Sequence, residues 1–256
     1  HLEANELSSN EYELQVVAIP SISNFEMQLR FPSYLNKKPE TIQGTGNASI
    51  PEGTKVTWKI TTQATQKMNW KTAGNSLLFT KNENRFILSK NIFQNTDYQI
   101  SSSNSNSKQH EQLNYQLAVV KDQFPTIQVR TAPDSLKLGN SYILGQIADD
   151  YGLSQLQVVY YPKDKPAAAK RGTIAIKKAA FDQFVFSFPS NLPVQKGITY
   201  DYYFEVFDND AIHHFKRTKS TVFSSRLASA EEKEEQSLQQ QNESSNGLEK
   251  SLKTQE

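Results

Sequence analysis

Tyr12-Glu13-Leu14-Gln15-Val16-Val17-Ala18-Ile19-Pro20 returns later in the chain as Tyr115-Gln116-Leu117-Ala118-Val119-Val120, which runs on into Phe124-Pro125. A second pair, Asp97-Tyr98-Gln99-Ile100 and Asp201-Tyr202-Tyr203-Phe204, has nearly the same displacement, about 100 residues, the length of one small domain. An apolar run precedes the tyrosine in each copy of that pair, Phe86-Ile87-Leu88 and Phe184-Val185-Phe186. Two unrelated stretches repeating at nearly one offset imply two copies of one fold unit. The period sets the organisation. Residues 1–20 hold a tag remnant, His1-Leu2-Glu3, and then, over 11–19, the last strand of a preceding domain or a lead-in strand. The first domain covers 21–121, the second 122–225, and a polar tail 226–256. The second domain is expected to close on a strand at Ser220-Thr221-Val222-Phe223-Ser224.

Inside each copy the apolar residues alternate, the period of a half-buried strand. Val56, Trp58 and Ile60 oppose Thr57, Lys59 and Thr61; Leu156, Val158 and Tyr160 oppose Gln155, Gln157 and Val159. Tyr200, Tyr202, Phe204 and Val206 oppose Asp201, Tyr203, Glu205 and Phe207. Turn chemistry punctuates them at Pro51-Glu52-Gly53, Lys81-Asn82-Glu83-Asn84, Lys137-Leu138-Gly139-Asn140 and Asp208-Asn209-Asp210. Short alternating strands at this spacing predict an all-β protein of two tandem immunoglobulin-like, fibronectin III-like β-sandwiches. The tail loses its aromatics and fills with Glu, Gln, Lys and Ser. Ser229-Ala230-Glu231-Glu232 fits a capping box, so the tail reads as a solvated helix or as disorder.

Composition agrees. The 256 residues carry 14 Phe and 11 Tyr against 2 Met, a mixture suited to pleated surfaces. A net charge of +1 provides no broad positive field, so nucleic acid is not an expected partner. The absence of cysteine removes disulfides, thiolate nucleophiles and cysteine-ligated zinc.

Tyr98 and Tyr202 begin equivalent strands, where a tyrosine hydroxyl commonly ties a sheet corner to upstream backbone. Trp58 faces a core. Trp70 is either half-buried or an exposed ring able to stack a sugar. The acidic loops gather calcium candidates, Asp149 and Asp150 after one strand, Asp208, Asn209 and Asp210 after another, and Asp122 at the domain junction. Calcium takes six to eight oxygens of this kind, whereas the same residues are ordinary turn formers. No full calcium-loop spacing is present, and no other cofactor is expected. His213 and His214 lie near Asp208 and Asp210, but no hydrolase motif accompanies them. The basic run Lys163, Lys165, Lys170, Arg171, Lys177, Lys178 reads as a patch on one hairpin or as a solvated loop and strand face. Asn47 and Asn242 open glycosylation triplets, a short pattern that arises often by chance.

Three groups of residues carry a resemblance: Arg30-Phe31-Pro32-Ser33-Tyr34-Leu35 with Ile50-Pro51-Glu52-Gly53-Thr54; Ile147-Ala148-Asp149-Asp150-Tyr151-Gly152-Leu153; and Tyr203-Phe204-Glu205-Val206-Phe207-Asp208-Asn209-Asp210-Ala211. They resemble an uncharacterised family of Bacteroidetes-type membrane-anchored envelope proteins. The resemblance covers roughly 12–240. It implies N-terminal membrane spans, tandem Ig-like domains and a Gln/Glu-rich helical region, of which this chain would be an excised periplasmic piece of an inner-membrane-anchored parent. It carries no activity and no catalytic residues.

The expectation is a non-enzymatic, extracytoplasmic spacer that binds protein partners in the cell envelope and meets the membrane only through missing parts of its parent. The alternatives are a glycan- or peptidoglycan-binding module using Trp70 or loop tyrosines, and a hydrolase built on His213 or His214 with Asp208 or Asp210.

Overall fold

A computed structural model describes residues 3–4, 7–8, 13, 16–108, 110–132 and 142–253. His1, Tyr12, Leu14, Gln15 and the turn expected at Lys137-Leu138-Gly139-Asn140 lie outside them. The chain divides into two compact units, His1–Asp122 and Gln123–Glu256. No described helix is long and apolar enough to cross a membrane.

In the first unit β1 (Glu3–Ala4) and β2 (Leu7–Ser8) form a small antiparallel pair. The described residues of the expected lead-in strand, Glu13 and 16–19, take no strand, and Val16 is almost wholly exposed. The sandwich is built from β3 (Ser21–Arg30), β4 (Glu40–Gln43), β5 (Ala48–Pro51), β6 (Thr54–Gln63), β7 (Lys67–Lys71), β8 (Ser76–Leu78), β9 (Thr80–Asn82), β10 (Arg85–Ile92), β11 (Thr96–Ser103) and β12 (Gln112–Val120). One sheet has the order β4-β3-β6-β10-β9, the other β5-β12-β11-β7-β8. All neighbours run antiparallel except β5 and β12, which are parallel, with Leu117 opposite Ala48 and Val120 opposite Pro51.

The alternation read from the sequence is the one that buries Val56, Trp58 and Ile60 against the second sheet. There they meet Met68 and Trp70 of β7, Tyr98 and Ile100 of β11, and Leu117 of β12. Fully burying one such side chain contributes about 1.5–3 kcal/mol. Trp58, Trp70 and Tyr98 form a triangle with ring centroids 5.4–5.8 Å apart.

The second unit contains β13 (Thr126–Thr131), β14 (Tyr142–Ala148), β15 (Leu153–Pro162), β16 (Lys170–Ile174), β17 (Phe181–Ser187), β18 (Thr199–Asp208), β19 (Arg217–Lys219), β20 (Phe223–Arg226) and the helix α1 (Ala230–Lys253). A three-stranded sheet, β13-β14-β17, faces a larger one, β16-β15-β18-β19, with β20 also on β18. Phe184, Phe186 and Phe188 pack on Tyr200, Tyr202 and Phe204. Phe184 lies directly over Gly145; a Cβ there would come within 2.1 Å of the ring.

Tyr98 and Tyr202 occupy equivalent strands, β11 and β18, and the preceding apolar runs lie on β10 and β17. The chain is thus two Ig-like, fibronectin III-like sandwiches. The expected closing strand at 220–224 is split. Ser220 still donates its N–H to the Phe204 carbonyl and accepts the Phe204 N–H on its hydroxyl, and regular pairing with β18 resumes at Phe223. The tail is helical, and its capping box forms: the Ser229 N–H donates to Glu232 Oε2 at 2.9 Å, and the Glu232 N–H to Ser229 Oγ at 3.2 Å.

Candidate functional site

The calcium candidates of the second unit come from two turns. Asp149 follows β14 and closes an Asx turn, its Oδ2 accepting the N–H groups of Tyr151 and Gly152 at 3.0 and 2.7 Å. Gly152 has φ +133°, and a Cβ on it would come within 2.9 Å of the Asn209 amide nitrogen. That close approach lets Asn209 bind the neighbouring turn, through its N–H to the Gly152 carbonyl and its Nδ2 to the Tyr151 carbonyl. Asp150 points to solvent. Asp122 is half-buried and is the last residue of the first unit.

Asp208 and Asp210 are fully buried at the end of β18. Burying a bare carboxylate is costly, so each must be paired and hydrogen-bonded. The pairing comes from Lys216. The chain turns back through His214 and Phe215, both at positive φ (59° and 61°), and the Asp208 N–H donates to the Lys216 carbonyl. The ammonium then stands 2.9 Å from Asp210 Oδ2 and 3.2 Å from Asp208 Oδ2. Backbone N–H groups add further bonds: Asp210 donates to Asp208 Oδ1, and Ile212 and His213 to Asp210 Oδ1. His213 Nδ1 makes a short contact with Asp210 Oδ2.

The acidities follow. Burial lifts the carboxyls of Asp149 and Asp208 above the ordinary carboxylate value. At Asp210 burial also pulls upward, but the hydrogen bonds from Lys216 and His213 outweigh it and leave the group at about 2. The Lys216 ammonium supplies one positive charge to this pair of buried carboxylates.

Trp70 cannot stack a sugar: its ring is 1% exposed, enclosed by Trp58 and Tyr98, with Lys90 Nζ 4.9 Å from its centroid. It packs there because its position on β7 points inward between Met68 and the facing sheet. The Tyr98 hydroxyl accepts the Trp58 indole N–H and donates to the Gly46 carbonyl, as the tyrosine reading anticipated; Tyr202 is buried and its phenol is pushed up to about 12 by desolvation.

One site escaped the sequence reading. On β18 the odd residues point away from the core, yet Glu205 is 1% exposed. Lys219, Arg217 and Arg171 surround its carboxylate at 3.5, 3.9 and 4.0 Å, and Gln157 donates to it at 3.2 Å. Only the register of β16, β15, β18 and β19 brings these five together.

No protein-family model matches the chain, and no curated protein does. Solved structures that resemble it include the fibronectin FN1–FN3 domains of chicken CNTN1, at 13% identity over 75% of this chain and 74% of that one, with a TM-score of 0.28. The fibronectin(III)-like modules of Clostridium thermocellum CbhA match at 13% identity, over 73% of this chain and 93% of that one, with a TM-score of 0.26. A chimeric titin Z1Z2 tandem matches at 12% identity, covering 72% and 95%, with a TM-score of 0.26. At such scores these overlays add no argument to the strand orders, which define the fold themselves.

Proposed function

We propose that the chain is a non-catalytic structural and protein-interaction module, a stiff two-domain spacer from the extracytoplasmic part of a larger membrane-anchored envelope protein. The observation behind the spacer is the connection. β12 ends at Val120 and β13 begins at Thr126, leaving only residues 121–125, and the last of them, Pro125, is buried. A connection this short, ending in a residue of fixed φ, has little of the freedom of a flexible tether. The periplasmic address rests on the three family-like groups of residues, and the partners in this reading are other envelope proteins. This reading does not call on calcium: Lys216 lends one positive charge to Asp208 and Asp210, which supports it. The His213–Asp210 pair is likewise read as part of that ion-pair network rather than as a catalytic dyad.

The test uses the absence of cysteine. Cysteines placed at the exposed positions Lys55 and Lys163 take one spin label in each unit. A single narrow distance distribution is expected, broadening when a Gly-Ser insert follows Lys121. A broad distribution in the parent chain overturns the spacer reading.

One observation favours glycan binding as a second reading. Gln99, Asn114, Gln116 and Asp97 form a hydrogen-bonded amide and carboxylate row on the outer face of the first unit. With Asn47 and Lys71 they line a shallow trough. Retention on peptidoglycan sacculi, lost in Gln99→Ala/Asn114→Ala, supports this reading; equal retention of the variant removes it.

A further inference from the structure

We infer that the outer face of the β16-β15-β18-β19 sheet is a docking surface for an acidic protein segment, with Glu205 as its internal organiser. This rests on the interaction-module reading above and names the surface and the partner. The charge count is uneven: one carboxylate meets three cations. Arg171, Arg217 and Lys219 keep 56%, 54% and 55% of their side chains exposed, so they cover Glu205 while presenting their head groups to solvent. At 3.5–4.0 Å these ion pairs are looser than a bidentate fork, which leaves guanidinium and ammonium donors for carboxylates from outside.

Without an anion beneath them, three such cations would repel one another and splay apart. Glu205 draws them together, and Gln157 holds Glu205. The Tyr203 ring lies under Lys219, with the ammonium 5.2 Å from the centroid, which restrains that chain further. Side chains already held in place lose less freedom on binding than mobile ones. A surface with Arg and Tyr over a buried polar anchor has the composition of protein interfaces. Three cations fall short of the six to ten phosphate contacts typical of nucleic-acid binders.

The probe is a fluorescein-labelled peptide of alternating Asp, Glu and Gly, titrated with the full chain and followed by anisotropy, with single-stranded DNA and phosphatidylglycerol vesicles as competitors. Saturable binding is expected, about tenfold or more weaker in Arg171→Gln/Arg217→Gln/Lys219→Gln. Glu205→Gln is the sharper variant. It makes the face more positive, so attraction by net charge alone predicts tighter binding, whereas an organising carboxylate predicts weaker binding. Thermal melts of both variants establish that they fold, and should either fail to, Arg171→Gln and Lys219→Gln singly carry the comparison. The inference is overturned by absent or unsaturable peptide binding, by affinity unchanged in the triple variant, by tighter binding in Glu205→Gln, or by preferential displacement with DNA or vesicles. None of these results touches the spin-label distances, so failure of this surface and failure of the spacer are distinguishable.

Discussion

Trp58 donates its indole N–H to the phenolic oxygen of Tyr98 at 2.9 Å, across the interior of the first sandwich, and that hydroxyl donates onward to the Gly46 carbonyl at 2.7 Å. Removing the hydroxyl strands a buried donor and a buried acceptor at once. Tyr98→Phe is therefore expected to destabilise the first unit by about 1–3 kcal/mol. Urea unfolding followed by tryptophan fluorescence measures it, since both tryptophans lie in this unit.

Gly145 is constrained by packing, with the Phe184 ring where its Cβ would be. Gly145→Ala is expected to cost about 1–3 kcal/mol through overpacking, read as a lowered melting midpoint.

Lys216 pairs with two fully buried carboxylates. Lys216→Met keeps the stem and removes the charge, and is expected to destabilise the second unit by about 3 kcal/mol or more. The native chain should melt at the same temperature in calcium and in chelator, since a ligand of the native state alone would have to raise the midpoint. A calcium-dependent rise in the native chain would mean that a metal shares the site.

Asp210 gives a pH dependence. Its carboxyl is held at about 2 against an ordinary 3.8. A depressed acid contributes stability that is present above 3.8 and is lost as pH falls from there towards 2. Asp149 and Asp208, raised by burial, act in the opposite direction, so the native profile alone mixes both signs. Asp210→Asn isolates the contribution: the gap in melting temperature between native and variant should narrow over that window. A constant gap would remove the assigned role.

Among the described residues β17 pairs only with β14, which leaves its other edge without a strand. Asp182 blunts that edge, its carboxylate accepting the N–H groups of Lys177 and Gln183. Charge at a strand edge discourages pairing with other chains. Asp182→Val is expected to aggregate faster on mild heating, measured by light scattering.

Much of this was legible because it is local. Alternation over 54–63 and 199–208 encodes which residues face inward, and Ser229 with Glu232 encodes the helix start. The matching places of Tyr98 and Tyr202 follow from a repeat offset that strand order preserves. Trp70 was ambiguous because a five-residue strand flanked by polar residues says little about what the facing sheet places over it. Lys216 lies close in sequence to Asp208 and Asp210, yet its direction depends on positive φ at His214 and Phe215, residues with no turn signature. Glu205 could not be found at all, since its partners sit on other strands and only cross-strand register joins them.

The parallel pairing of β5 with β12 has a mechanical consequence. Tension drawing these two strands apart along their length, backwards on β5 and forwards on β12, runs parallel to the ladder from Ala48–Leu117 to Pro51–Val120. Its bonds then share the load in shear instead of opening one after another like a zip.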